Sequence, residues 1–184
     1  LTVAGIALVV FVFCAVLMLA NGLEQTLADT GSETNVKVVR KSANTELVSI
    51  LARSNADIIK ADPAIVRESD GTPRFASEVV ALIALSKKSD SNSVNVNVRG
   101  GSAASFVIRP AVKIVQGRMF NPGSSEIIVG TKVANGYWGA GQGDRLKFGG
   151  REWTIVGIFE AGGSGFESEV WVDADQLGAA FNWP

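Results

Sequence analysis

The sequence predicts an α+β fold, with mixed or antiparallel sheets and short helices in two subdomains, set behind one transmembrane helix. Three observations carry this expectation. Residues 1–23 contain no charged side chain. The remainder is punctuated by Gly-rich turns. Between those turns lie short β-branched or apolar runs and a few helix-cap residues. No internal repeat at a fixed period is evident.

The apolar run comes first. Twenty-three residues at 1.5 Å rise reach about 35 Å as a helix, enough to cross a hydrocarbon core of about 30 Å with some tilt. Thirteen of the 23 positions are Leu, Ile, Val or Phe. Each adds roughly −0.3 to −0.6 kcal/mol at depth, whereas a charge would cost about 3 kcal/mol. A secretory signal would show a basic start, a shorter apolar stretch and a small residue three positions before the cut; Met18-Leu19-Ala20 lacks that residue. The run therefore reads as a spanning helix. Glu24, Asp29 and Glu33 follow it, and no Lys or Arg occurs before Lys37. Basic residues collect on the cytoplasmic side, so the acidic flank faces outward and the following domain is extracytoplasmic. The chain starts at Leu1 rather than Met, so it reads as a piece of a longer protein whose cytoplasmic start lies upstream.

Roughly 160 residues remain, enough to bury most of an unfolded chain's apolar surface without disulfide staples. Residues 23–28 continue the helix into water, and Gly31 with Ser32 ends it. Val36 and Val38 alternate with Lys37 as a short strand. Ser54-Asn55-Ala56-Asp57 fits a capped helix start, with Ile58 and Ile59 facing inward and a stop near Asp62-Pro63. Residues 75–85 and 94–98 are strand-like, the second alternating with Asn, and the polar tract 86–93 joins them as the tip of a long hairpin. Residues 112–115, 126–129, 146–148, 153–159 and 169–172 supply further strands, and residues 173–181 read as a helix behind an Asp173 cap.

Composition excludes several function classes. The single cysteine, Cys14, lies inside the apolar run, so no disulfide or exposed thiol nucleophile is available. There is no His, which removes a His-dependent triad, proton relay or ordinary zinc site. Seventeen Lys plus Arg against eighteen Asp plus Glu leave no basic block for nucleic acid.

The densest acidic cluster is Glu160, Glu167, Glu169, Asp173 and Asp175, which in principle suits a hard cation or paired-carboxylate chemistry. Glu167 and Glu169 would share one strand face and Asp173 would cap the next helix, so solvated surface and capping is the reading adopted. Gly139-Ala140-Gly141-Gln142-Gly143 and Gly162-Gly163-Ser164-Gly165 lack the spacing of a phosphate loop and read as turns. Of the four tryptophans, Trp153 and Trp171 sit in strand runs and read as core, leaving Trp138 and Trp183 as candidates for a ligand groove.

The order of several short pieces resembles a known family, the MacB-like, FtsX-type ABC-transporter permeases. These pieces are Gly117-Arg118-Met119-Phe120, Glu126-Ile127-Ile128-Val129-Gly130, Gly143-Asp144-Arg145-Leu146, Trp153-Thr154-Ile155-Val156-Gly157-Ile158-Phe159 and Glu167-Ser168-Glu169-Val170-Trp171-Val172-Asp173. In the first half the likeness rests on the apolar anchor, Ile58-Ile59, Asp62-Pro63-Ala64-Ile65 and Val98-Arg99-Gly100. As residues these are turns and strands: Gly117, Gly130 and Gly143 permit tight or positive-φ geometry, and Val156 with Ile158 would bury one strand face.

The resemblance implies a division into residues 1–30, a transmembrane helix with its outward extension, and 31–184, an extracytoplasmic MacB-like core domain. It further implies a permease with four membrane helices in the inner membrane, a separate cytoplasmic ABC ATPase, a permease homodimer and a periplasmic adaptor, with the later helices following Pro184. No catalytic, cofactor-binding or metal residue carries over. The expected function is a noncatalytic domain coupling ATP hydrolysis to export or envelope-substrate handling. The alternative is a membrane-tethered ligand-binding module with its groove near Trp138 or the hairpin. A tethered hydrolase using Glu167 or Glu169 ranks last.

Overall fold

The structure, a computed structural model, describes residues 2–29, 35–90 and 92–183. Helix α1 spans Thr2–Asp29. Its segment Thr2–Glu24 has a mean hydropathy of 3.0, and none of it is buried against the other described residues. An apolar helix left unburied by the other described residues has the surface that lipid, not water, accommodates. The expected end of the helix at Gly31 and Ser32 lies outside the described residues.

Beyond it the chain forms α2 (Arg53–Lys60), β1 (Val79–Ser86), β2 (Ser93–Gly101), α3 (Ala103–Val107), β3 (Lys113–Gly117), β4 (Glu126–Gly130), α4 (Thr131–Gly136), β5 (Arg145–Phe148), β6 (Arg151–Glu160), β7 (Glu169–Asp173) and α5 (Ala174–Ala180). Two 3-10 turns, Glu46–Val48 and Gly165–Ser168, complete the set among the described residues. The seven strands make one sheet in the order β1-β2-β7-β4-β6-β3, with β5 also pairing with β6. The β2/β7 and β4/β6 pairs are parallel and the rest antiparallel, so the sheet is mixed, as the sequence predicts. The hairpin is also where expected, closing with Ser86 opposite Ser93.

Both faces of the sheet are covered. On one, Val98, Ile127, Val129, Trp153, Ile155, Val170 and Val172 pack with Val133 of α4 and Leu177 of α5. On the other, Phe120, Ile128, Phe159 and Trp171 pack with Phe106 and Phe166. In the central strands consecutive residues therefore enter opposite cores, which is why β4 and β7 read as continuous apolar runs rather than alternating ones. Trp153 and Trp171 are core residues, as predicted; Trp153 stacks on Phe148 at 5.0 Å and donates its indole N–H to the Phe148 carbonyl.

Several expectations need correction. Val156 and Ile158 do not share a face. The β4/β6 register passes from Ile127↔Ile155 to Ile128↔Gly157, so one extra residue is taken up at Val156 and the phase of β6 flips. Residues 36–38 form no strand. Helix α2 begins at Arg53, with Ala52 and not Ser54 at its N-cap, and Ile58 is 71% exposed rather than inward. β1 starts at Val79, not at residue 75. The short helices α3 and α4 were not expected: five and six residues are too few to show a helical period, and Asn135-Gly136 reads as a turn.

Two close approaches depend on the absence of a side chain. A Cβ on Gly100 would lie 2.9 Å from the Ala174 Cα, so α5 rests directly on β2 only because that position is glycine. Gly117 has φ 75°, and a Cβ there would run into the Val156 carbonyl across the β3/β6 pair.

Candidate functional site

Among the described residues one arginine is buried, and it marks the site. Arg99 stands on β2 beside Trp171 of β7, and Asn97 beside Glu169, so parallel pairing puts Arg99 and Glu169 on the same face of adjacent strands. Arg99 is 4% exposed and Glu169 6%. Its Nε donates to Glu169 Oε2 at 2.7 Å and its Nη2 to Oε1 at 2.9 Å, the two-pronged match that suits a guanidinium to a carboxylate. The opposite edge reaches two further acids. Nη1 donates to Glu78 at 3.0 Å and Nη2 to Glu46 at 2.9 Å.

A second layer surrounds this pair. Arg109, just past α3, donates to both oxygens of Glu78, and Lys37 pairs with Glu46. The Trp171 indole N–H donates to Glu169 Oε2 at 3.0 Å. The Phe166 ring lies 5.3 Å from the Arg99 guanidinium and 5.0 Å from that of Arg109, so a π face meets both cations where water is excluded. Three cations (Lys37, Arg99, Arg109) thus face three carboxylates (Glu46, Glu78, Glu169), and the cluster is neutral.

Neutrality is what makes the burial tolerable. A lone buried charge costs several kcal/mol, repaid only when opposite charge and hydrogen bonds converge on it. Burial acts to lower the Arg99 pKa, but the fork to Glu169 and the charges of Glu46 and Glu78 outweigh it and push the value up. Burial acts to raise Glu46, and the Lys37 hydrogen bond with the Arg99 charge overcomes it, holding the carboxyl below its ordinary value. Glu46 is thereby committed as an acceptor and is poorly suited to deliver or take a proton.

The sequence-selected acidic cluster is dispersed. Glu160 and Asp175 are exposed, and Asp173 caps α5 by accepting from the Gln176 N–H at 3.0 Å, as predicted. Glu167 and Glu169 are not solvated surface and do not share a strand face. Glu167 lies in the 3-10 turn, 8% exposed, accepting from the backbone N–H of Ala161 and Gly163 at 3.0 and 2.7 Å. Burial pulls its pKa up, but those two N–H donors and the Lys132 charge bring it below the ordinary value. Among the described residues, no three His, Cys, Asp or Glu are grouped to hold a metal ion. Both glycine-rich tracts are turns, with positive φ at Gly139, Gly143, Gly162 and Gly163. Trp138 is 59% exposed, and Trp183 stacks on Phe181 at 5.2 Å.

Sequence reasoning missed Glu46, Glu78 and Arg109, and touched Arg99 only as part of Val98-Arg99-Gly100. The available signal was a charge on β2 at a position in phase with Asn95 and Asn97, next to two glycines. Its acidic partners lie 21, 53 and 70 residues away, beyond any local pattern.

Comparison with known proteins agrees with this architecture. The family model for the MacB-like periplasmic core domain matches residues 1–183. The extracellular domain of the noncanonic ABC-type transporter YknZ from Gram-positive bacteria superposes with a TM-score of 0.50 at 15% identity, over 72% of this chain and 67% of that one. The periplasmic region of MacB from Actinobacillus actinomycetemcomitans gives a TM-score of 0.52 at 13% identity, over 73% of this chain and 60% of that one. At such identities the likeness speaks for the fold alone, and the chain spans only three-fifths of the MacB region. A search of curated proteins finds no match. With the family model covering the apolar helix and the sheet alike, this chain belongs to the MacB-like periplasmic core domain family.

Proposed function

We propose that the chain is the noncatalytic extracytoplasmic part of an ABC-transporter permease subunit, and that it couples ATP hydrolysis by a separate cytoplasmic ATPase to export or envelope-substrate handling. In this reading residues 1–30 anchor the subunit in the inner membrane, residues 31–184 form the outer domain, and the working unit is a permease dimer met by a periplasmic adaptor. One observation supports it most. Lys37 and Glu46, both in the stretch between α1 and the sheet, close onto the buried Arg99, and Asn35 donates to the Ile108 carbonyl at 2.7 Å. A displacement reaching residues 35–46 would thereby meet the sheet at a charged contact that ends on a buried arginine. The committed state of the Glu46 and Arg99 charges favours a mechanical role over an enzymatic one.

The test is positional. In the complete complex, spin labels on exposed Lys147 and on the permease's membrane region should report different separations in the ATP-locked and nucleotide-free states. Identical distance distributions in the two states would overturn coupling. Turnover of envelope substrates by the isolated chain, abolished by Glu169→Gln without loss of fold, would instead make it an enzyme.

A further inference from the structure

An open cleft of about 420 Å³ lies where the β1–β2 hairpin meets α4. Among the described residues its lining includes Lys87, Lys88, Ser89, Lys132, Asn135 and Tyr137, and no carboxylate. Three of the chain's eight lysines converge here, although its formal net charge is −1. Two of them are held in place by backbone. Lys88 donates to the Ala134 carbonyl at 2.9 Å, and Lys132 to the Gly163 carbonyl at 2.9 Å. A carbonyl positions an ammonium without cancelling its charge. Two acids stand at the margin: Glu167, whose Oε1 accepts from two backbone N–H groups, turns Oε2 toward Lys132 at 3.7 Å, and Asp90 feels the charge of Lys87, so the three lysines still outnumber the carboxylates beside them.

We propose that this cleft is a docking site for an acidic peptide segment of a partner protein, one carrying two or more carboxylates within a few residues. Fixed ammonium groups together with hydroxyl and amide donors complement carboxylates, and an open trough admits an extended chain where an enclosed pocket would not. The position favours protein over lipid. Glu46 and Lys37, which follow the membrane helix, reach the sheet beside Arg99, opposite Val80 at the start of β1; the cleft adjoins Ser86 at its end. Six residues of antiparallel strand separate the two by about 20 Å.

The experiment uses the full chain in phosphatidylcholine nanodiscs and a fluorescein-labelled eight-residue oligo-glutamate peptide, read by anisotropy. Saturable binding that weakens with salt and falls about tenfold in Lys87→Glu is expected. Lys87 takes no part in the two backbone bridges, so this variant keeps the local fold, to be checked by circular dichroism and melting. Lys147→Glu, outside the cleft, should leave binding unchanged. Equal binding by wild type and by Lys87→Glu with Lys132→Gln would overturn the site. Displacement by millimolar inorganic phosphate with the same lysine dependence would assign it to a small anion instead. Lysine-dependent capture of nanodiscs containing phosphatidylglycerol, without peptide binding, would assign it to a membrane surface.

Discussion

Arg99 grips Glu169 with both its Nε and its Nη2, at 2.7 and 2.9 Å, across two parallel strands whose facing residues are almost wholly out of water. The same guanidinium reaches the segment that follows the membrane helix through Glu46. One side chain therefore serves both the sheet and its connection to the anchor, and each role can be measured separately.

Removing one partner should hurt more than removing both. Glu169→Gln leaves Arg99 buried with reduced compensation, and Arg99→Met strands Glu169, so each single change should cost about 3–5 kcal/mol in urea unfolding of the detergent-solubilised chain. The double variant Arg99→Met with Glu169→Leu removes the central pair together and should recover a large part of that loss. Additive losses would mean that the pair is not the centre of the cluster.

Glu46→Gln tests the link to the anchor. Glu46 is partly exposed and attached to Arg99 by one hydrogen bond, so the sheet should lose only about 1 kcal/mol. Residues 37–50, however, should exchange their amide hydrogens markedly faster while β4 and β7 stay protected. Unchanged exchange in that segment would show that Glu46 does not tether it.

Acid should unfasten a different pair. Arg118 and the Asn121 N–H hold the Glu126 carboxyl down to about 2, from an ordinary 4.5. The folded value lies below the unfolded one, so the pair's contribution is complete above about pH 4.5 and is lost as pH falls toward 2. Carboxyl NMR titration should find Glu126 near 2 in the wild type and several-fold less acidic in Arg118→Gln. A wild-type midpoint near 4.5 would remove this pair from the acid response.

Gly100→Val should loosen α5. The new side chain meets the Ala174 backbone and the Leu177 side chain, and overpacking of this kind costs about 1–3 kcal/mol. The loss should appear in urea unfolding together with faster exchange at residues 174–180. An unaltered melting curve would mean that the helix moves aside freely.

Much of this architecture was legible in the chain. The charge-free opening residues declare a membrane-length helix because each carries its own transfer free energy. The strand runs at 126–129, 146–148 and 169–172 fall within a residue or two of β4, β5 and β7, since β-branched residues bounded by turn formers have few other uses. Asp173 announced α5, because capping is satisfied by residues three positions apart. The helix at 53–60 was found but misphased, as its apolar Ile58 has no core to face.

What the sequence determined by itself is whatever depends on neighbours along the chain: the anchor, the strand runs, the caps and the turns. The tertiary structure alone decided that the bulge at Val156 sends Ile158 and Val156 to opposite cores, and that Glu167 and Glu169 are buried rather than bathed in water. The physical reason is range. A carboxylate's fate depends on the charge and the donors that reach it, and the arginine that makes Glu169 a buried anchor arrives from 70 residues away.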